Sequence, residues 1–316
     1  MKFDTITIDR QDAIWLVTLN RPERLNAMSQ KMLLEMDSAC DMIEEDTSCR
    51  VVVLTGSGKA FTPGFDLQDQ AAKTPQGIEA WRPLLKRNFD SVIRFWNLTK
   101  PTIAAVNGPA LAGGCELAMA CDITIAGNSA TFGEPEVKFG AGIVIMLLPW
   151  IVGPKKAKEI AFLGKDQLSA QEACDLGMVN QVVSDDEVLP TALGIARAIA
   201  VVDPMVMRRT KQQINNTMEI AGMTRALEHS LEIDLELEAP GKYYMAVFDK
   251  NRTSGKLAVA IGYVEDFSGN DFVTVLPNAW LESRYFSEDY SQLFILVGIL
   301  LGLFGLIGFG IYRKIR

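Results

Sequence analysis

Two glycine-rich turns carry the groups that could do chemistry in this chain. Thr62-Pro-Gly-Phe-Asp66 and Ala112-Gly-Gly-Cys-Glu116 each follow a run that reads as a buried strand, and each leads toward a helix. Backbone N–H groups left free at such a turn point outward, and the helix dipole favours negative charge there. The N–H groups of Phe65 and Gly113 are therefore candidate donors, and two donors aimed at one point make an oxyanion hole. Plain tight turns give the same pattern. Two carboxyls accompany the turns. Glu116 lies three residues past Gly113, about one helical turn on, and Glu136 ends Gly133-Glu-Pro-Glu136, a loop after a strand and before an apolar run. Glutamates flanking a hole do general acid–base work if burial raises them from about 4.3 toward neutrality. As surface glutamates they do none, and spacing alone leaves both readings open.

Composition narrows the alternatives. The chain has 316 residues, Lys+Arg 31 against Asp+Glu 39, a net charge of −8, and 48% hydrophobic and 22% charged residues. That is globular composition, enough for one large or two modest domains. The acidic balance argues against nucleic acid as a partner. His229 is the single histidine, so a Ser-His-Asp triad would have to use it and a multi-His metal site is impossible. It sits in Glu228-His-Ser230 and reads as a surface or interface residue. The five cysteines (Cys40, Cys49, Cys115, Cys121, Cys174) form no C-x-x-C pair and read as buried free thiols in a reducing compartment. Met1 to Arg10 holds no signal-peptide hydrophobic run. Catalysis is left to carboxylates and backbone.

The elements that must position these groups follow from periodicity. Two strands fill residues 3–20, with a polar turn at Arg10–Asp12, and Ser29 caps a helix running to about Glu45. Val51–Thr55, Thr102–Val106 and Asp122–Ala126 read as short strands, and a helix spans about Gln76 to Asn97. From about Ala141 the chain reads as mainly helical, with a start at Pro154, a capping box Ser169-x-x-Glu172, a helix from Asp203-Pro204, and a last helix from about Met223 to Glu238. Residues 243–276 read as β. The rhythm is that of an α/β fold.

Residues of about Phe3 to Glu238 resemble the enoyl-CoA hydratase/isomerase, or crotonase, family. The resemblance is carried by Asn20-Arg-Pro-Glu-Arg-Leu-Asn-Ala27, Gly58-Lys-Ala-Phe-Thr-Pro-Gly-Phe-Asp66, Lys100-Pro-Thr-Ile-Ala-Ala-Val-Asn-Gly108, Ala112-Gly-Gly-Cys-Glu-Leu-Ala118 and the Glu-Pro-Glu136 loop, in that order. It implies a ββα spiral core over residues 1–195, a helical region over 196–240, and homotrimers or hexamers. It also implies an acyl-CoA thioester substrate, no metal, and no cofactor beyond the coenzyme A of the substrate. The carbonyl oxygen would bind the N–H groups of Phe65 and Gly113 as an enolate forms. Glu116 would activate water for the β carbon, and Glu136 would give a proton to the α carbon of a trans-2-enoyl-CoA. Asp66, Leu67 and Gln68 would lie along the ligand with Phe65. Arg24 and Lys59 would meet the CoA phosphates or remain solvated loop charges.

Departures from the family pattern leave alternatives. Val144 stands eight residues after Glu136, where dehalogenases and dienoyl-CoA isomerases carry a third carboxylate, so those activities are disfavoured. An enoyl-CoA isomerase needs only Glu136 and remains possible, as does a scaffold that keeps the fold without activity. Pro63 and Phe65 replace small residues, and the apolar segment from Val137 to Trp150 predicts a greasy acyl tunnel, or simple helix packing. Residues 241–290 read as a β-like linker or small subdomain. Leu293 to Tyr312, LFILVGILLGLFGLIGFGIY, is 20 uncharged residues, the length that spans a bilayer, and contains the G-x-x-x-G face Gly298/Gly302. A single C-terminal transmembrane helix follows, with Arg313–Arg316 beyond it. Because a CoA enzyme works on the cytosolic side and a four-residue tail is easily translocated, the expected location is the cytoplasmic face of a membrane.

Overall fold

The computed structural model describes residues 3–71, 75, 77–139, 141–238, 243–246, 260–265 and 271–274. The chain divides into two units, Met1–Lys242 and Tyr243–Arg316. In the first unit, β1 (Ile6–Gln11), β2 (Ile14–Leu19), α1 (Gln30–Glu45), β3 (Val51–Gly56), α2 (Leu67–Ala71) and α3 (Ile78–Asn97) come first. The spiral continues with β4 (Thr102–Val106), β5 (Ala110–Leu111), α4 (Gly113–Ala120), β6 (Ile123–Gly127) and β7 (Thr131–Gly133). Then come α5 (Leu148–Val152), α6 (Pro154–Leu163), β8 (Leu168–Ser169), α7 (Ala170–Asp175), β9 (Gln181–Val183) and three helices, α8 (Val188–Ala200), α9 (Pro204–Ile220) and α10 (Met223–Glu238).

A six-stranded sheet in the order β1-β2-β3-β4-β6-β9 is antiparallel at β1/β2 and parallel from β2 onward. Alternation of side chains along each strand splits its core in two. On β3, Val51 and Val53 pack with Ala192 and Ala196 of α8, while Val52 and Leu54 join Met32, Met36 and Ile43 of α1 in the larger core. A parallel strand covered on both faces is apolar at every position, which is why residues 51–55 read as a continuous run. A second, small sheet, β5-β7-β8, pairs Leu111 with Gly133 and so brings the loop after β7 beside the start of α4.

The capping signals hold. Ser29 accepts the Met32 N–H at 3.3 Å, and Ser169 and Glu172 form a reciprocal capping box. The region after Ala141 departs from expectation. Residues 141–147 are not helical, and the first helix begins at Leu148. Gly142 and the β-branched Ile143-Val144-Ile145 disfavour a helix there. The short strands β8 and β9 also lie in what reads as helical sequence, where tertiary pairing outweighs local propensity.

The second unit contains an antiparallel meander of β10 (Tyr243–Ala246), β11 (Ala260–Glu265) and β12 (Asp271–Thr274). All three strands fall within residues 243–276. The expected span Leu293–Tyr312 lies outside the described residues, and among the described residues no single helix is long and apolar enough to cross a membrane.

Candidate active site

The two donor turns are held together by backbone contacts. The Thr62 N–H donates to Pro109 O and the Leu111 N–H to Thr62 O, both at 3.1 Å, so the Phe65 turn lies against β5. A Cβ on Gly114 would sit 2.2 Å from Thr62 O, so only glycine allows this approach. Met28 clamps the other side: its N–H donates to Gly64 O at 2.8 Å and its carbonyl accepts the Asp66 N–H at 3.0 Å. This bridge uses Gly64 and Asp66 and leaves the Phe65 N–H turned the other way. Ala112, at φ 51° and ψ −132°, holds a conformation rare outside glycine and delivers Gly113 as the first residue of α4. Neither the Phe65 nor the Gly113 N–H has an acceptor among the described residues. The Phe65 ring covers Gly113 so closely that a Cβ there would lie 2.6 Å from the ring.

Of the expected glutamates, Glu116 lies on α4 one turn past Gly113, and Glu136 lies just after β7, in the loop that the β5–β7 pairing brings beside the start of α4. Glu116 is fully buried; its Oε2 accepts the Leu147 N–H at 3.1 Å and its Oε1 has no partner. Burial drives its pKa well above the ordinary carboxyl value, the Leu147 N–H opposes this, and the charge on Glu136 adds to it. Glu136 opens a 3-10 turn over Glu136–Phe139, and its backbone carbonyl accepts the Ala141 N–H at 3.1 Å. Its Oε2 is buried without a partner, and burial pushes its pKa up to about 7. Residues 141–147 thus link the two glutamates, touching Glu136 at one end and Glu116 at the other.

Further groups were not foreseen as functional. Glu134 is fully buried beside the Cys115 thiol and the Glu136 carboxyl, and burial, with the charges of its neighbours, raises it well above the ordinary range. Asp234 of α10 is 2% exposed with neither oxygen in a well-aligned hydrogen bond, and burial, opposed by the Gly142 N–H, lifts it to about 6. Its spacing carries a signal: Leu227, Leu231 and Leu235 form the buried stripe of α10, and Asp234 occupies a place on that stripe. An acid where helical spacing calls for leucine is legible in the sequence. Residues 141–147, part of the apolar segment, meet two of these acids, Glu116 and Asp234.

The expected ligand-lining residues divide. Asp66 is 5% exposed and paired with Arg21 at 3.0 Å and Arg24 at 3.6 Å. Burial would raise its pKa, but the Arg21 hydrogen bond, the Asp69 N–H and both guanidinium charges outweigh it, and the net shift is down. Its side chain therefore braces the turn. Arg21, which was not foreseen, also donates to Ala27 O. Arg24 bonds Gln68, while Leu67 and Gln68 are exposed at the start of α2. Lys59 is exposed and forms no ion pair among the described residues. Cys115 and Cys121 are buried, and burial pushes both thiols up to about 12, which suits core packing rather than nucleophilic attack. Cys174 is only half-buried, unlike the other four, and His229 is exposed on α10.

A spiral of parallel strands with two free amides at crossing turns and buried glutamates beside them defines a class, and comparison with known proteins supports it. Residues 9–239 match the family described as enoyl-CoA hydratase/isomerase. A probable mitochondrial enoyl-CoA hydratase of Dictyostelium discoideum is 38% identical over 227 residues, covering 69% of this chain and 78% of that protein. A crotonyl-CoA hydratase of Syntrophomonas wolfei is 35% identical over 240 residues, covering 74% and 89%. The crystal structure of an enoyl-CoA hydratase/isomerase from Xanthobacter autotrophicus Py2 superposes with a TM-score of 0.74 at 53% identity, covering 75% of this chain and 88% of that one. The chain belongs to the enoyl-CoA hydratase/isomerase family.

Proposed function

We propose that this protein is an enoyl-CoA hydratase that adds water across the double bond of a trans-2-enoyl-CoA, with no metal or cofactor beyond the substrate's own coenzyme A. The observation that carries the reading is the pair Glu116 and Glu136, each with a buried, unpartnered carboxyl oxygen, together with two amides, those of Phe65 and Gly113, that lack acceptors among the described residues. The thioester oxygen takes the Phe65 and Gly113 N–H groups, which stabilise it most as it becomes an enolate. Glu116 removes a proton from water as the oxygen bonds to the β carbon, and Glu136 gives its proton to the α carbon. The product is a 3-hydroxyacyl-CoA. Burial and the Glu136 charge favour a protonated Glu116 in the empty site, so this division requires the proton to pass to Glu136 when the substrate binds.

Lys59 and Arg24 are proposed to meet the CoA phosphates, Lys59 being the more available of the two. Exposed Val201 (84%), Met205 (70%) and Ile220 (88%) support burial of the α8–α9 region in a homotrimer or hexamer. Leu293–Tyr312 is proposed as a membrane anchor holding the enzyme on the cytoplasmic face.

The test is hydration of crotonyl-CoA and longer trans-2-enoyl-CoAs by the full chain. Glu116→Gln and Glu136→Gln should each lower turnover by roughly 10²–10⁴-fold. If Glu116→Gln instead keeps most turnover on a 3-enoyl-CoA and the parent does not hydrate, the protein is an isomerase using Glu136 alone.

A further inference from the structure

Asp234 is a carboxyl the proposed hydration does not use. It reaches the site from α10, nearly a hundred residues after Glu136 in sequence. It packs onto the backbone of the segment that links the two glutamates: a Cβ on Gly142 would lie 1.9 Å from its Oδ1. That segment ends at Leu147, whose N–H holds Glu116. The charge of Asp234 is also felt at Glu136 and at Glu238, one turn further along α10. Asp234 therefore belongs to the same interior as the two glutamates.

Its state there is unusual. At 2% exposure neither of its oxygens makes a well-aligned hydrogen bond, the Gly142 N–H being the donor that acts on it, and none of Glu116, Glu134, Glu136, Asp234 and Glu238 forms an ion pair among the described residues. Buried carboxyls are ordinarily hydrogen-bonded or paired, because leaving water without compensation is costly. A purely apolar acyl chain would leave the Asp234 oxygens unsatisfied. A chain bearing a hydrogen-bond donor would satisfy them.

We propose that Asp234 selects acyl-CoA thioesters whose acyl chain carries a hydrogen-bond-donating substituent, a hydroxyl or an ammonium, which its carboxylate accepts inside the pocket. The proposal rests on the acyl-CoA reading of the site and deepens it by naming the substrate class. Gly142 is part of the device, since any side chain there would occupy the place of the Asp234 carboxyl.

The experiment measures binding of three saturated thioesters, which cannot be hydrated, to the full chain: butyryl-CoA, 4-(dimethylammonio)butyryl-CoA and 4-hydroxybutyryl-CoA, the last prepared fresh because it closes to γ-butyrolactone. Wild type should bind one or both substituted thioesters about tenfold or more tightly than butyryl-CoA, the scale of one charge-assisted hydrogen bond. Which of the two gains identifies the donor. Asp234→Leu should erase that preference while leaving butyryl-CoA binding intact or improved. Asp234→Asn, close in shape, should erase an ammonium preference and keep part of a hydroxyl preference, which a packing defect would not do. Equal binding of all three by wild type, or an equal loss for all three in Asp234→Leu, overturns the proposal. Hydration of crotonyl-CoA is measured in parallel. Hydration without a binding preference sinks this inference alone, a preference without hydration sinks the hydratase reading alone, and failure to bind any thioester sinks both.

Discussion

Glu136 ties chemistry to stability. Its carboxyl rises from an ordinary 4.5 to about 7 in the folded chain, chiefly through burial. The native state then binds more protons than the unfolded state between those values, so this group's contribution to stability falls as pH rises from 4.5 to 7 and stays low above it. Glu136→Gln should remove that penalty, raising stability at pH 8 by up to about 3 kcal/mol while leaving pH 4 nearly unchanged. Denaturant melts at the two pH values check it, and a variant equally stabilised at both would mean that Glu136 titrates normally. At Gly113 the test is steric. Gly113→Ala forces its Cβ to within 2.6 Å of the Phe65 ring, which must move. Turnover should drop by about tenfold or more and should recover partly in the double variant with Phe65→Ala, a coupling that a kinetic double-mutant cycle measures.

Among the elements, the turn carrying Phe65 has the tightest tolerances. Thr62 O lies where a Gly114 side chain would begin, Met28 bridges its far side, and Asp66 fastens it to Arg21. Arg21–Asp66 is largely buried, with side-chain exposures of 19% and 5%. Asp66→Ala would strand a guanidinium in poor solvent, so a loss of about 3 kcal/mol is expected, with a lower melting temperature and a raised KM. An unchanged melting temperature would show that Asp66 faces the ligand instead of bracing the turn. Spacing made the turn conspicuous as Thr62-Pro-Gly-Phe-Asp66, but its brace was hidden, because Arg21 and Asp66 stand 45 residues apart and local pattern carries no trace of that pairing.

For the whole molecule, the family unit and the segment after it are separable questions. Residues 9–239 match the family, whereas the meander and the run Leu293–Tyr312 lie beyond that match. If that run is an anchor, deleting residues 293–316 should move the protein from the membrane pellet to the carbonate-soluble fraction with hydration retained. A full chain already in the soluble fraction would remove the anchor. Legibility varied with the range of the forces involved. The strands β1, β2, β3, β4 and β6, α1 with its Ser29 cap and the Ser169 capping box were readable from local pattern, whereas β9 of the same sheet was not. The stretch 141–147 was misread as helical, although Gly142 and the β-branched Ile143-Val144-Ile145 already disfavour a helix, and its contacts with Glu116, Glu136 and Asp234 hold the path it takes.

By itself the sequence determined the α/β class, the family, and the identity of the groups expected to do the chemistry: two amides at glycine turns and two glutamates. All of these are written in residue type and local order. Only the tertiary structure decided that Glu116 is buried, that Glu116 and Glu136 each keep a buried oxygen to spare, that Asp66 is bound by arginines, and that Asp234 joins the same interior. The reason is physical: a carboxyl's ionisation and partners depend on desolvation and charges summed over neighbours distant in sequence, and folding alone brings those neighbours together.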